Sequence, residues 1–205
     1  MKAQAASRRT RLAPEVRRNL ILDATAALIL EGGLSSVSME RVASRVSVSK
    51  GLIYNYFPTR DALLAALLLR EQTELRERGM ATALEARSFE ALIRQTTRLY
   101  LEQTRDRGAM ISALLSDPSV AALMQEDIRT DREKTFRYFV RAARREFGLP
   151  LPLAIAAVDL MSMVTGQAGL QVARKQMDVG PATEICVDLI LGGLSRLDPG
   201  RPLRD

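Results

Sequence analysis

The chain has 205 residues, of which 47% are hydrophobic and 26% charged, and its 12 glycines and 8 prolines are too few for a fibrous or low-complexity protein. One cysteine, Cys186, and no histidine exclude an intrachain disulfide, a cysteine-rich metal site, serine–histidine or cysteine–histidine catalysis and most zinc chemistry. The net charge of +6 lies entirely in the first sixty residues, where ten Lys/Arg meet four acids; a polyanion partner for that end is one reading, and a solvated basic tail is the other.

The chain reads as helix throughout, because apolar alternation of period two is nearly absent. Pro14 can open a first helix, and Gly32-Gly33 stops it. Ser38 begins a short second helix, with Met39, Val42, Ala43 and Val46 on one apolar face. Ser47-Val48-Ser49 breaks it, and Ser49 caps a third short helix that runs to about Tyr56. Phe57-Pro58-Thr59 ends that helix, and Thr59 caps a fourth that carries Leu63, Leu64, Leu67 and Leu68. Further helices are expected near residues 89–107, 109–115, 120–147, 152–175 and 182–197. Gly79, Gly108, Asp117-Pro118, Gly148-Leu149-Pro150 and Gly180-Pro181 are the expected breaks. Leu20-Ile21-Leu22 is followed at once by Asp23, so no secretory signal is visible. The late charge-free stretch 160–173 is too short to span a bilayer. A cytoplasmic protein with no membrane partner is expected.

Two short helices joined by a tight turn have the geometry of a DNA reader, whose second helix enters the major groove. That helix must turn apolar residues inward and short or polar residues outward. In 49–57, Ile53 and Phe57 form the inward i, i+4 pair. Lys50, Gly51, Leu52, Tyr54 and Asn55 then project outward, with Gly51 allowing close approach and Leu52 suited to a thymine methyl group.

The run 38–63, with its Val42-Ala43 pair, the turn Val48-Ser49-Lys50-Gly51, the end Tyr54-Asn55-Tyr56-Phe57 and Arg60 three residues on, resembles the DNA-binding signature of the TetR family of bacterial regulators. Ile21-Leu22-Asp23-Ala24 and Glu31-Gly32-Gly33 match the first helix and the turn after it, so the likeness covers residues 15–65. The resemblance implies that Ser38 and Ser49 bond phosphates at helix N-termini and that Lys50 reaches a phosphate or a guanine edge. It also implies that Tyr54 and Tyr56 give hydroxyls to the DNA backbone, helped by Asn55, and that Arg60 holds a phosphate. Arg8, Arg9, Arg11, Arg17 and Arg18 either reach phosphates or an adjacent minor groove, or belong to a mobile tail. The family usually has Ala-Gly where this chain has Val46-Ser47, and a positive φ at Ser47 would cost on the order of 1 kcal/mol.

The resemblance further implies an all-α protein of two parts. Residues 1–60 form a three-helix helix-turn-helix DNA-binding domain with a basic tail, and 61–205 form a helical ligand-binding and dimerisation domain. Ala154, Ala157, Val158, Met161, Thr165, Ala168 and Val172 can form one stripe for a dimer, with Ile185, Leu189 and Gly192-Gly193 on the last helix; ordinary core packing is the alternative. Gly166 and Gly169 would be kept for close helix approach. The candidate pocket lining is Tyr100, Gln103, Met110, Leu114, Met124, Phe136, Phe139, Met163 and Gln167. Arg137, Arg141 and Arg144 form a basic stripe that either grips an acidic ligand group or faces water, and Cys186 is read as a small buried hydrophobe. The expected function is a homodimeric repressor of a palindromic double-stranded operator, released by a small apolar or amphipathic effector, with no cofactor. An activator or ligand-independent regulator of the same fold is the second reading. Carboxylate catalysis around Glu126-Asp127 or Asp131 would need a positioned partner that the sequence does not offer.

Overall fold

A computed structural model describes residues 13–200, which form α-helices and one 3-10 turn and contain no strand among the described residues. The helices are α1 (Pro14–Gly32), α2 (Met39–Arg45), α3 (Lys50–Tyr56), α4 (Arg60–Glu85), α5 (Phe89–Ser116), α6 (Pro118–Phe147), α7 (Leu151–Ala173) and α8 (Val179–Ser195), with the 3-10 turn Leu34–Ser36 after α1. The chain divides into two compact units inside α4, the first ending at Leu67 and the second beginning at Leu68. The first two turns of α4 go with the first unit, and their Leu63, Leu64 and Leu67 are fully buried. Arg8, Arg9 and Arg11 lie outside the described residues.

In the first unit Pro14 occupies the first turn of α1, where its missing N–H costs nothing. Gly33 ends the helix at φ 72°, and its N–H donates to Ile29 O at 2.8 Å. α1 buries Ile21, Leu22, Leu28 and Ile29, and it packs on α2, which packs on α3. The Ser36 hydroxyl ties the 3-10 turn back to α1, 2.6 Å from Leu28 O.

In the second unit α5 is central and packs against α6, α7 and α8. Ser88 caps α5 by accepting from Ala91 N at 3.1 Å. Asp117 caps α6 through Ser119 N at 3.0 Å, with Pro118 in the first turn, and left-handed Gly148 closes it. Phe89 and Phe147 meet edge to face at 5.2 Å between centroids, next to a core of Ile93, Ala143, Ala154, Val187 and Leu194.

Three expected breaks are not breaks. Gly79 lies inside α4 and Gly108 inside α5, so 89–107 and 109–115 are one helix. A helical glycine costs about 1 kcal/mol relative to alanine, which the tertiary packing of a long helix overrides. At Gly108 a Cβ would stand 3.2 Å from Thr104 Cγ2, so the position is also tight. Gly180-Pro181 falls within the first turn of α8, where proline is tolerated.

Candidate nucleic-acid interface and ligand cavity

The helix-turn-helix is built by two serine caps. The Ser38 hydroxyl accepts from Arg41 N at 3.2 Å and starts α2, and the Ser49 hydroxyl accepts from Leu52 N at 3.3 Å and starts α3. Between them Val48 N donates to Ala43 O at 3.0 Å, and Ser47 adopts the left-handed φ of 54° that its place in the turn demands.

Ile53 is fully buried and Phe57 nearly so, which fixes the rotation of α3. Arg18 of α1 lies over the Phe57 ring, 5.4 Å from its centroid. Lys50, Gly51, Tyr54 and Asn55 are exposed on the other side, while Leu52 and Tyr56 are half-buried. The Lys50 ammonium is ion-paired with Glu40 of α2 and stands 5.7 Å from the Tyr54 ring centroid. The hydrogen bond with Glu40 raises the Lys50 pKa above the usual lysine value, and the same contact holds the Glu40 carboxyl below the usual carboxylate range. Arg45 grips Glu31 of α1 with two bonds of 2.5 and 2.6 Å. That pair is exposed to water, so screening leaves it little weight in stability.

Arg60 departs from the role implied for it. Its Nε donates to Val37 O at 3.0 Å and its Nη2 to Leu34 O at 2.9 Å, so the guanidinium clamps the loop between α1 and α2. Leu34 O already accepts from Val37 N at 3.1 Å, so Arg60 adds a second donor there and ties both ends of the 3-10 turn together.

The second unit contains a largely apolar cavity of about 550 Å³ lined by residues of α4, α5, α6, α7 and α8. Of the nine candidate lining residues Tyr100, Phe136 and Phe139 are in its wall, and the other six are not. Met110, Leu114 and Met124 are buried in packed core. Met163 is 67% exposed and Gln167 is exposed, because that side of α7 faces away from the cavity that Met161 lines. Gln103 ties α5 to α4, its Nε2 donating to Glu71 O at 3.2 Å. The Glu71 carboxylate is itself buried beside Arg70, 3.2 Å away, and Arg107, 3.9 Å away. Sequence reasoning missed the charged part of the wall: an ion pair between Arg76 of α4 and Asp131 of α6, with Arg132 beside it. No pattern in the sequence brings residues that far apart together.

Arg137 pairs with Glu133 at 2.7 Å, Arg144 donates to Leu149 O at 3.3 Å, and Arg141 is exposed; none of this stripe lines the cavity. Cys186 is fully buried, and burial pushes its thiol pKa up, away from reactive thiolate.

The apolar stripe read along α7 is turned inward. Ala154, Ala157 and Val172 are buried, and Val158, Met161 and Ala168 pack on the core. Thr165 lines the cavity. The outer side of α7 instead shows Leu160 at 61%, Met163 at 67% and Leu170 at 51% exposure, and α8 shows Ile185 at 46% and Leu189 at 55%. Among the described residues α7 is the one helix long and apolar enough to cross a membrane by length and composition. The two glycines of α7 serve different ends. A Cβ on Gly169 would stand 3.0 Å from the Tyr100 ring, whereas one on cavity-lining Gly166 would meet nothing within 4 Å.

Residues 21–67 match the domain model for bacterial regulatory proteins of the tetR family. The chain is 31% identical over 189 residues to the HTH-type transcriptional repressor KstR of Rhodococcus jostii strain RHA1, across 90% of this chain and 87% of that one. A TetR-like transcriptional regulator from Rhodococcus sp. RHA1 superposes with a TM-score of 0.71 at 18% identity, over 91% of this chain and 100% of the other, a likeness of fold alone. The Flavonoid-responsive Regulator FrrA superposes with a TM-score of 0.65 at 27% identity, over 88% of this chain and 95% of its own. The capped helix-turn-helix with its exposed α3 side chains is matched in sequence, and the relationship to KstR runs through both units. The chain therefore belongs to the TetR family and is a DNA-binding transcriptional regulator, not an enzyme.

Proposed function

We propose that this regulator is a cytoplasmic repressor that binds a palindromic operator as a homodimer and leaves it when a small molecule fills the cavity of the second unit. The observation that carries the reading is the division of α3 into two sides. Ile53 and Phe57 are locked inward, and Lys50, Gly51, Tyr54 and Asn55 stand exposed at the start and end of a helix short enough for the major groove. Lys50 turns from Glu40 to a phosphate or guanine edge, and the Tyr54 hydroxyl and Asn55 hold the backbone. Ser38 and Ser49 add phosphate contacts at the starts of α2 and α3. Gly51 and the outer part of Leu52 approach the bases, and Tyr56 supports the end of the helix. Arg60 stays with its carbonyls and shapes the loop.

The exposed side chains Leu160, Met163 and Leu170 on α7 and Ile185 and Leu189 on α8 support dimerisation, since apolar surface of this extent on one side marks an interface. Asp159 lies within α7, which suits a helix pairing in water better than one in lipid. The cavity supports an effector site, and FrrA, a flavonoid-responsive relative in fold, and the repressor KstR support ligand-released repression. An effector releases the operator only if it binds a non-binding conformation better than the binding one.

Selection of bound sites from random DNA yields the operator. On it, Lys50→Ala and Tyr54→Ala each weaken binding by about 1–3 kcal/mol with an unchanged melting temperature. Wild-type affinity in both variants would remove α3 as the reader.

A further inference from the structure

We propose that the effector is an amphipathic monocarboxylate whose apolar body lies among Tyr100, Phe136, Phe139 and Met161 and whose carboxylate is held by Arg132. This rests on reading the cavity as the effector site. The wall carries three charged side chains, Arg76, Asp131 and Arg132. Arg76 and Asp131 neutralise one another in an ion pair between α4 and α6. The neighbouring arginines of α6 are also taken, Arg129 by Glu126 at 2.7 Å and Glu133 at 3.2 Å, and Arg137 by Glu133 at 2.7 Å. Arg132 differs, since among the described residues it has neither a hydrogen bond nor an ion pair. It also lines a second hollow of about 510 Å³ that shares Ile128 and Phe136 with the first, so Arg132 belongs to both walls.

The cavity is thus a largely apolar chamber whose edge carries one exposed arginine, Arg132, that no described residue pairs. A cation meets repulsion there, and a neutral ligand gains nothing from the guanidinium, which stays with water. A carboxylate matches the planar donor fork with two parallel hydrogen bonds, and a single guanidinium suits a single carboxylate. Glu133 and Asp159 line the second hollow but not the first, so an anion on Arg132 meets less repulsion on the cavity side. Gly166 widens the apolar end, because a side chain there would grow into open space.

The test is calorimetric titration of the full chain with biphenyl-4-acetate and dodecanoate, each beside its amide and its amine of equal length. At least one carboxylate should bind about tenfold or more tightly than its neutral and cationic counterparts. Arg132→Gln should bring the carboxylate to the level of the amide without moving the amide, and Arg132→Lys should keep part of the preference. Gly166→Leu should weaken the carboxylate and the amide alike by filling the cavity. Equal binding of carboxylate, amide and amine, still sensitive to Gly166→Leu, would overturn the carboxylate assignment and leave the cavity standing; so would a preference that survives in Arg132→Gln. Binding indifferent to Gly166→Leu, or none by any compound, would overturn the cavity as the effector site and the proposal with it.

Discussion

The α3 side of the first unit and the α7 and α8 sides of the second leave different kinds of surface uncovered. The first unit buries Ile21, Leu22, Val42, Ile53 and Leu63, leaves Val16, Leu20 and Leu30 of α1 exposed, and shows water a side of α3 made of Lys50, Gly51, Tyr54 and Asn55. The second leaves Leu160, Met163, Leu170, Ile185 and Leu189 outside and encloses a hollow of about 550 Å³. A polar surface with a lysine that can leave its partner Glu40 for a phosphate suits a charged polymer. A sizeable apolar surface marks a place where another surface docks, and an apolar hollow a place where an apolar molecule can bind. On the proposed function, a second copy covers the exposed apolar side chains of α7 and α8, and a small molecule fills the hollow.

The sharpest way to break this contrast is to charge the apolar surface. Leu189→Asp should leave the single chain folded, since the side chain is 55% exposed, but should cost the dimer several kcal/mol by setting two like charges against each other. Sedimentation should then report monomer for the variant and dimer for the wild type. Next in size, Ile53→Ala removes a fully buried side chain from under α3 and should cost the first unit about 2–5 kcal/mol in a denaturant titration. A loss below 1 kcal/mol would mean that the rotation of α3 is set elsewhere. Ser47→Gly relieves a serine held at φ 54° and should raise the stability of the first unit by about 1 kcal/mol. The smallest effect is expected from Glu40→Gln. Glu40 is ionised and paired with Lys50 in the free protein, so removing its charge frees the ammonium and should tighten operator binding by a few-fold at low salt, fading as salt rises.

The contrast also explains what could be read in advance. The first unit is written in local signals: Ser38 and Ser49 each cap the helix beginning one residue later, Ile53 and Phe57 are one turn apart, and the strained Ser47 stands where a glycine is usual. The all-α class followed from the same signals. In the second unit the helices were legible but their rotation was not. Met161 and Met163 are two residues apart, and at about 100° per residue they point to opposite sides of α7, one to the cavity and one outward. Both satisfy an apolar pattern, because α7 has apolar residues on both sides. The cavity is made by residues from Gln72 to Leu194, so its wall is a property of packing between five helices. The Arg76–Asp131 pair and buried Glu71 have no local signature at all. Arg60 was placed correctly in the motif, yet its job depends on two carbonyls more than twenty residues earlier.

The central claim is that α3 enters DNA twice, in a symmetric pair. Hydroxyl-radical footprinting of the selected operator tests it most directly. Two equal patches of protection related by a dyad, about 34–36 Å apart along one side of the duplex or a multiple of that, are the result predicted. One unpaired patch, or protection unchanged when Lys50 and Tyr54 are both alanine, would contradict it.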